Sequence, residues 1–242
     1  MKLEQVVPWG RSLAEYRAMF ALSEADLRKR ILGCGDGPAS FNAEMTASGR
    51  PTVTSVDPLY AFEAAEIARR IAASEPLIMA EVRAHADRFK WSWFENPEAL
   101  LGARKQAMSR FLEDYERGKR QRRYVAQALP HLDFAADAFE LCVCSHLLFL
   151  YSAQLSLEFH RRSITELVRL APEVRIYPLR DLSHGVSPHL EPVCHDLHAG
   201  GWVTEVIPVE YEFIPGANQM LRVRRKGSGR NTKPETETRA PS

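Results

Sequence analysis

The sequence predicts an open, doubly wound α/β sheet of about seven strands, and three observations predict it. Short apolar or β-branched segments alternate with stretches of helical period along most of the chain. An early apolar segment runs straight into a glycine-rich turn, Gly33-Cys34-Gly35-Asp36-Gly37. The next β-branched run ends in an acid, Asp57, about twenty residues further on, which completes one strand–turn–helix–strand unit.

The elements follow in order. Ser12-Leu13-Ala14-Glu15 has the form of a capping box and opens a helix over residues 12–27. Residues 30–32 form the first strand, 39–47 a helix closed by Ser48-Gly49, and 51–56 the second strand. Residues 61–123 are helical and unusually long for a connection between neighbouring strands. Two stretches, 61–85 with a break near Pro76 and 98–119, flank a run of aromatic residues, Phe89, Trp91, Trp93 and Phe94. Such an insertion either caps a substrate site or adds packing around the core. Strands return at 124–129, at the start of 140–150 and at 173–179, with helices at 157–170 and 188–198. Residues 202–213 and 219–224 read as a closing pair of strands. The composition of 226–242, rich in Gly, Ser, Lys, Pro, Glu and Thr, predicts a disordered tail behind one domain of residues 1–225.

Bulk properties narrow the function classes. With 242 residues, 45% hydrophobic and 26% charged, the chain has the composition of a globular protein. A formal charge of +1 gives no global pull toward nucleic acid or anionic membrane, and no stretch is apolar enough to span a bilayer. Cys34, Cys142, Cys144 and Cys194 lack disulfide or zinc-ribbon spacing, as expected in a reducing cytoplasm. Cys142, Cys144 and His146 alternate and would share one strand face, which is a core position rather than a metal site. The basic run from Gly118 to Arg123 reads as a solvated helix end, where cations favour the dipole, rather than a nucleic-acid surface.

The glycine turn and Asp57 carry the chemistry. Glycines at a strand-to-helix turn let a ligand approach the backbone closely, and an acid at the end of the next strand accepts hydrogen bonds from ribose hydroxyls. A dinucleotide would require a third glycine where this chain has Pro38, and a P-loop would require Gly-Lys-Ser/Thr, which is absent. S-adenosylmethionine (SAM) carries no phosphate and needs only the glycine turn and the acid.

On these motifs the chain resembles the Rossmann-like, class I SAM-dependent methyltransferases from about Leu27 to Arg224. Gly33-Cys34-Gly35-Asp36-Gly37 is similar to that family's first motif, and Ser55-Val56-Asp57-Pro58-Leu59-Tyr60 to its second. The stretch from Leu132 to Leu141 is similar to the approach to its fourth strand, and the late strand pair to its reversed final hairpin. The resemblance implies SAM as cofactor, held by Gly33, Cys34, Gly35 and Gly37, with Asp57 on the ribose and Pro58 and Leu59 near the adenine. It places Ala128 and Leu129 at the adenine edge and Ser145 after the fourth strand. Two family acids are missing, at Ile31 and at Ala128. Arg11, at the start of the first helix, is a candidate partner for the SAM carboxylate. Ligands in such sheets lie beyond the carboxyl ends of the strands, so His146 is the first candidate for a base or acceptor-orienting group, with Tyr151 beside it. Tyr177, Arg180, Asp181, His184 and His189 follow the fifth strand or lie a little beyond it. The implied acceptor is a small molecule, with RNA, protein or a catalytically silent SAM-binding module as the alternatives.

Overall fold

The computed structural model describes residues 8–50 and 53–226. Its seven strands are β1 (Ile31–Cys34), β2 (Val53–Val56), β3 (Tyr124–Val125), β4 (Leu141–Ser145), β5 (Glu173–Tyr177), β6 (Trp202–Pro208) and β7 (Gln219–Arg225). They form one sheet in the order β3-β2-β1-β4-β5-β7-β6. The first five pair in parallel, while β7 runs antiparallel to both β5 and β6. The order therefore reverses direction beside β1, where β1 pairs with both β2 and β4, and a crevice opens there at the carboxyl ends.

Among the described residues six α-helices cover the sheet: α1 (Leu13–Phe20), α2 (Phe41–Ala47), α3 (Ala64–Ala84), α4 (Pro97–Arg120), α5 (Leu157–Leu170) and α6 (Leu190–Ala199). The period of two along the central strands divides the core between the faces. Leu32, Cys142 and Cys144 pack with Ile164 and Leu167 of α5 and Leu197 of α6. Ile31, Leu141 and Val143 face the other way, toward Met19 and Phe20 of α1 and Phe41 of α2. Every residue of β1 and β4 is buried, as strands covered on both faces must be.

Several boundaries differ from those expected. The capping box forms as predicted, with Ser12 accepting from Glu15 N and Glu15 returning to Ser12 N. The helix nevertheless stops at Phe20 rather than 27, because Ala21 takes the left-handed conformation and closes it. Ser23 and Asp26 then hydrogen-bond each other reciprocally, each side chain accepting from the other's amide, at the start of a short 3₁₀ turn, residues 26–28. Conversely, α3 runs through Pro76 without a break. Proline removes one donor, so the carbonyl of Ala72 loses its helical partner, but Ile71, Ile78, Met79 and Val82 are buried on either side and packing holds the helix. β3 covers two residues of the expected six, and β5 ends at Tyr177 before Pro178, which has no amide to donate. β6 ends at Pro208 instead of 213, leaving residues 209–218 as a loop. Since β6 runs parallel to β5, this loop emerges at the carboxyl ends of the parallel strands. The predicted tail lies outside the described residues from 227 onward, as do Pro51 and Thr52 at the start of the second predicted strand.

Candidate active site

A cavity of about 670 Å³ lies in the crevice beyond β1, β2 and β4. The glycine turn forms its floor. Gly35 and Gly37 adopt φ of 68° and 52°, a region that side chains with a Cβ disfavour. The amide of Gly35 donates to the Val56 carbonyl at 3.0 Å, which ties the turn to the end of β2. Asp57 Oδ2 accepts from Gly37 N at 2.9 Å and Oδ1 from Leu59 N at 2.8 Å. Burial raises the Asp57 carboxyl, and these two amides oppose the rise. Each oxygen keeps a further lone pair, which is the acceptor capacity a vicinal diol needs. Pro58 and Leu59 continue the wall beside it, and Ala128 and Leu129 lie on the wall as well. Gln127 joins them, a polar neighbour of Ala128 that the sequence motifs did not single out.

Gly33 is placed differently from the other glycines. It is the third residue of β1 and is not on the cavity wall. A Cβ there would sit 2.0 Å from Asp36 Oδ2, so the missing side chain makes room for a buried carboxylate instead of a ligand. Gly33→Ala is expected to destabilise the fold by about 1–3 kcal/mol, the usual penalty of overpacking, read as a lower midpoint in urea. Unchanged stability would mean that Asp36 swings away without cost. A Cβ on Gly35 would meet Leu147 at 3.1 Å, so that glycine serves the turn and its close packing on the segment after β4.

Asp36, absent from the sequence-based site, is central to it. Tyr16 Oη donates to its Oδ1 at 2.7 Å and Ser55 Oγ to its Oδ2 at 2.6 Å, and burial pushes its carboxyl up to about 7. The letter pattern offered one signal, an acid between two glycines of a strand-to-helix turn.

The N-terminal segment closes one side. Gly10 packs against the Pro38 carbonyl, where a Cβ would stand 2.1 Å from the oxygen. Arg11 lines the cavity, its Nη1 held by the Trp9 carbonyl at 3.0 Å and its Nε buried without a hydrogen-bond partner. A half-buried cation whose buried Nε is unmet fits a carboxylate. Beside it, Glu15 and Arg104 form a two-pronged ion pair, with both N–O separations 2.7 Å. Tyr211 donates to Glu15 at 3.1 Å and accepts from Arg104 at 3.2 Å. Burial alone would raise the Glu15 carboxyl, but Arg104 holds it below its ordinary value.

Ser145 ends β4 and His146 follows it, both on the wall, with Tyr151 further along. His146 leaves the strand at φ 52°, so it does not share the buried face of Cys142 and Cys144 as the alternation suggested. Those two thiols stay in the core, where burial raises both. Burial, with the nearby charges of Arg11 and then Arg104, keeps the His146 imidazole well below its usual pKa, and hence neutral. Tyr177 contributes its ring, while its hydroxyl donates to Ala217 at 2.6 Å. Arg180, Asp181 and His184 are not on the cavity wall. They build a turn in which Asp181 Oδ1 accepts from Ser183 N at 2.8 Å and Arg180 donates to the His184 carbonyl at 2.6 Å. His189 packs against His160, and its Nε2 lies 3.2 Å from the Ser152 and Leu155 carbonyls.

The roof comes from two distant stretches. Residues of α3 and α4, including Ile78, Val82 and Leu100, line the apolar part of the cavity. Phe89, in the connection between those helices, stacks on Phe213 of the β6–β7 loop at 4.6 Å. Lys90 N donates to the Phe213 carbonyl at 2.8 Å, and Lys90 Nζ pairs with Glu212 at 2.8 Å. Part of the basic run at the end of α4 is engaged elsewhere. Arg123 and Arg117 both hold Asp114, and Lys119 pairs with Glu63. No helix among the described residues is long and apolar enough to cross a membrane, and none of their side chains form a metal-binding cluster.

A seven-stranded sheet of this order with a reversed seventh strand, carrying a glycine turn and a strand-end acid at the switch point, is a Rossmann-like, doubly wound fold. The chain belongs to the family of the uncharacterized protein MJ0045 of Methanocaldococcus jannaschii, to which it is 30% identical over 226 residues, 93% of this chain and 99% of that one. No protein-family model matches it. Among solved structures it is similar to magnesium protoporphyrin IX methyltransferase (ChlM) from Synechocystis PCC 6803 with bound SAM, at 12% identity and a TM-score of 0.44, covering 88% of this chain and 77% of that one. It is also similar to the N-methyltransferase NodS from Bradyrhizobium japonicum, at 15% identity and a TM-score of 0.42, covering 88% and 96%.

Proposed function

We propose that the chain is a SAM-dependent methyltransferase acting on a small, largely apolar acceptor. The observation that carries this reading is the pairing, across one cavity, of Asp57 at the glycine turn with the unmet buried donor of Arg11. Asp57 would hold the ribose hydroxyls, Pro58, Leu59, Ala128 and Leu129 the adenine, and Arg11 the carboxylate, with Cys34, Gly35, Gly37 and Ser145 lining the path between. SAM supplies a sulfonium-bound methyl group, which bonds to the acceptor atom as the pair of the broken carbon–sulfur bond returns to sulfur. The protein's own part is to orient the acceptor, exclude water and take its proton.

The insertion over 61–123 serves as the cap of this domain. Its apolar side chains Ile78, Val82, Phe89 and Leu100 line the cavity together with Phe213 from the β6–β7 loop, which suits an apolar small molecule better than a polymer. Lys119 and Arg123 of the basic run are ion-paired, which reduces the charge it offers to a phosphate backbone. The free, buried thiols of Cys34, Cys142 and Cys144 suit a reducing cytoplasm.

Calorimetric titration tests the reading. Binding of SAM and of S-adenosylhomocysteine is expected, with none of NADH. Binding of NADH alone would replace the methyltransferase reading with an oxidoreductase one.

A further inference from the structure

The cavity wall after β4 turns through two left-handed residues, His146 at φ 52° and Phe149 at φ 66°. Residues with a Cβ disfavour that region, so such a turn persists only where the surrounding structure over-determines it. His146 N donates to the Tyr177 carbonyl at 2.7 Å and Leu182 N to the Leu150 carbonyl at 3.1 Å. Ser152 Oγ donates to the Phe149 carbonyl at 2.6 Å. The Phe149 amide is taken by a side chain from α5, and it donates to His160 Nε2 at 3.0 Å. Both Phe149 and His160 are fully buried.

The partners of this ring settle where its proton lies. An amide only donates, so Nε2 presents its lone pair. The Ser156 carbonyl, 2.8 Å from Nδ1, only accepts, so Nδ1 carries the hydrogen. Both nitrogens are thus spent inside the fold. His189, just before α6, packs against His160 with ring centroids 4.7 Å apart, and its Nε2 lies 3.2 Å from the Ser152 and Leu155 carbonyls. A second histidine therefore grips the far end of the same segment.

We propose that His160 is a positioning residue, whose neutral ring holds the Phe149 amide and thereby fixes the cavity wall from His146 to Tyr151. The use of that wall in methyl transfer rests on the methyltransferase reading; the clamp itself does not. His146, Leu147, Leu150 and Tyr151 line the cavity, whereas His160 is not on its wall. Leu147 also packs on the glycine turn, where a Cβ on Gly35 would meet it at 3.1 Å. Release of Phe149 is thus felt at both the glycine turn and the candidate base.

The clamp is sensitive to acid. A proton on Nε2 would set one N–H against another, so charging His160 breaks its bond to Phe149. Burial holds the imidazole below its ordinary value; the Ser156 carbonyl opposes that and His189 adds to it. The ring meets Phe149 from the segment after β4, Phe159 from its own helix and His189 from beside α6, and of these His189 titrates. The clamp is therefore complete above the ordinary histidine value of about 6.5 and is lost as the pH falls through the lowered one.

Amide exchange in the full chain, followed by NMR, reads the clamp at Phe149. Protection of that amide, corrected for the intrinsic rate, is expected to be high above about pH 6.5 and to fall in acid, while the amides of β2 keep theirs. Nitrogen-15 shifts of His160 should show the Nδ1–H tautomer over the protected range. His160→Leu is expected to lose protection at Phe149 by about tenfold or more, the effect of leaving a buried donor unpaired. His160→Gln, whose Oε1 accepts the same amide, should keep the protection and lose its acid dependence. If His160→Leu does not fold, the wild-type titration and His160→Gln still decide. An Nε2–H tautomer in the wild type, or wild-type protection at Phe149 in His160→Leu, would overturn the clamp. Calorimetry with S-adenosylhomocysteine on the same samples separates the clamp from the reading it serves. Affinity is expected to be lost in His160→Leu and to return in His160→Gln. No binding by the wild type would remove the cofactor reading, while exchange at Phe149 would still decide the clamp.

Discussion

Asp57→Ala is expected to abolish measurable SAM binding. Two hydrogen bonds from ribose hydroxyls to a carboxylate contribute roughly 1.5–3 kcal/mol each, so their loss weakens binding by about a hundredfold or more. The effect exceeds the two contacts, because the same carboxylate accepts from Gly37 N and Leu59 N and so shapes both the glycine turn and the segment after β2. Calorimetry on the variant, beside a thermal melt that checks folding, is the measurement. Retained micromolar affinity in a folded variant would remove Asp57 from the ribose.

The largest effect on stability is expected at Glu15. Its side chain and that of Arg104 are 2% and 1% exposed, and each is the other's counter-ion. Glu15→Gln leaves a guanidinium buried with its charge unmatched, which costs about 3–5 kcal/mol in pairs of this kind. The urea midpoint should fall accordingly. The double variant Glu15→Leu, Arg104→Met should recover much of that loss, since replacing both partners of a buried pair by apolar side chains is often neutral. If Glu15→Gln left the midpoint unchanged, the pair would be an ornament of the fold rather than a joint in it.

Legibility from sequence followed the range over which each feature is determined. The capping box, the glycine turn and the strand-end acid are local, and Ser12, Gly35, Gly37 and Asp57 could be recognised from a few neighbouring letters. The run of apolar and β-branched segments likewise announced the seven strands, because burial on both faces imposes it. Helix ends were less legible, since Ala21 closes α1 in a left-handed conformation that its side chain does not advertise, and packing carries α3 across Pro76. Least legible were the residues joined through space. Asp36 meets Tyr16 at a separation of 20 residues, and Arg104 meets Glu15 at 89. Phe213 was assigned to a strand, and nothing in its surroundings by sequence shows that it stacks on Phe89.

The reversed seventh strand has a consequence for the order in which the molecule is completed. A parallel β7 would have required a crossover from the far end of the sheet, whereas the reversal makes β6–β7 a hairpin whose loop stands over the cavity. Tyr211, which reaches back 196 residues to Glu15, and Phe213 are therefore among the last parts of the described chain to be synthesised. As the ribosome delivers the chain, Asp57 and the glycine turn are made long before the wall opposite them. Contacts this distant are slow to form, so a nascent chain presents an open, half-walled crevice, and enclosure belongs to the final stage of folding.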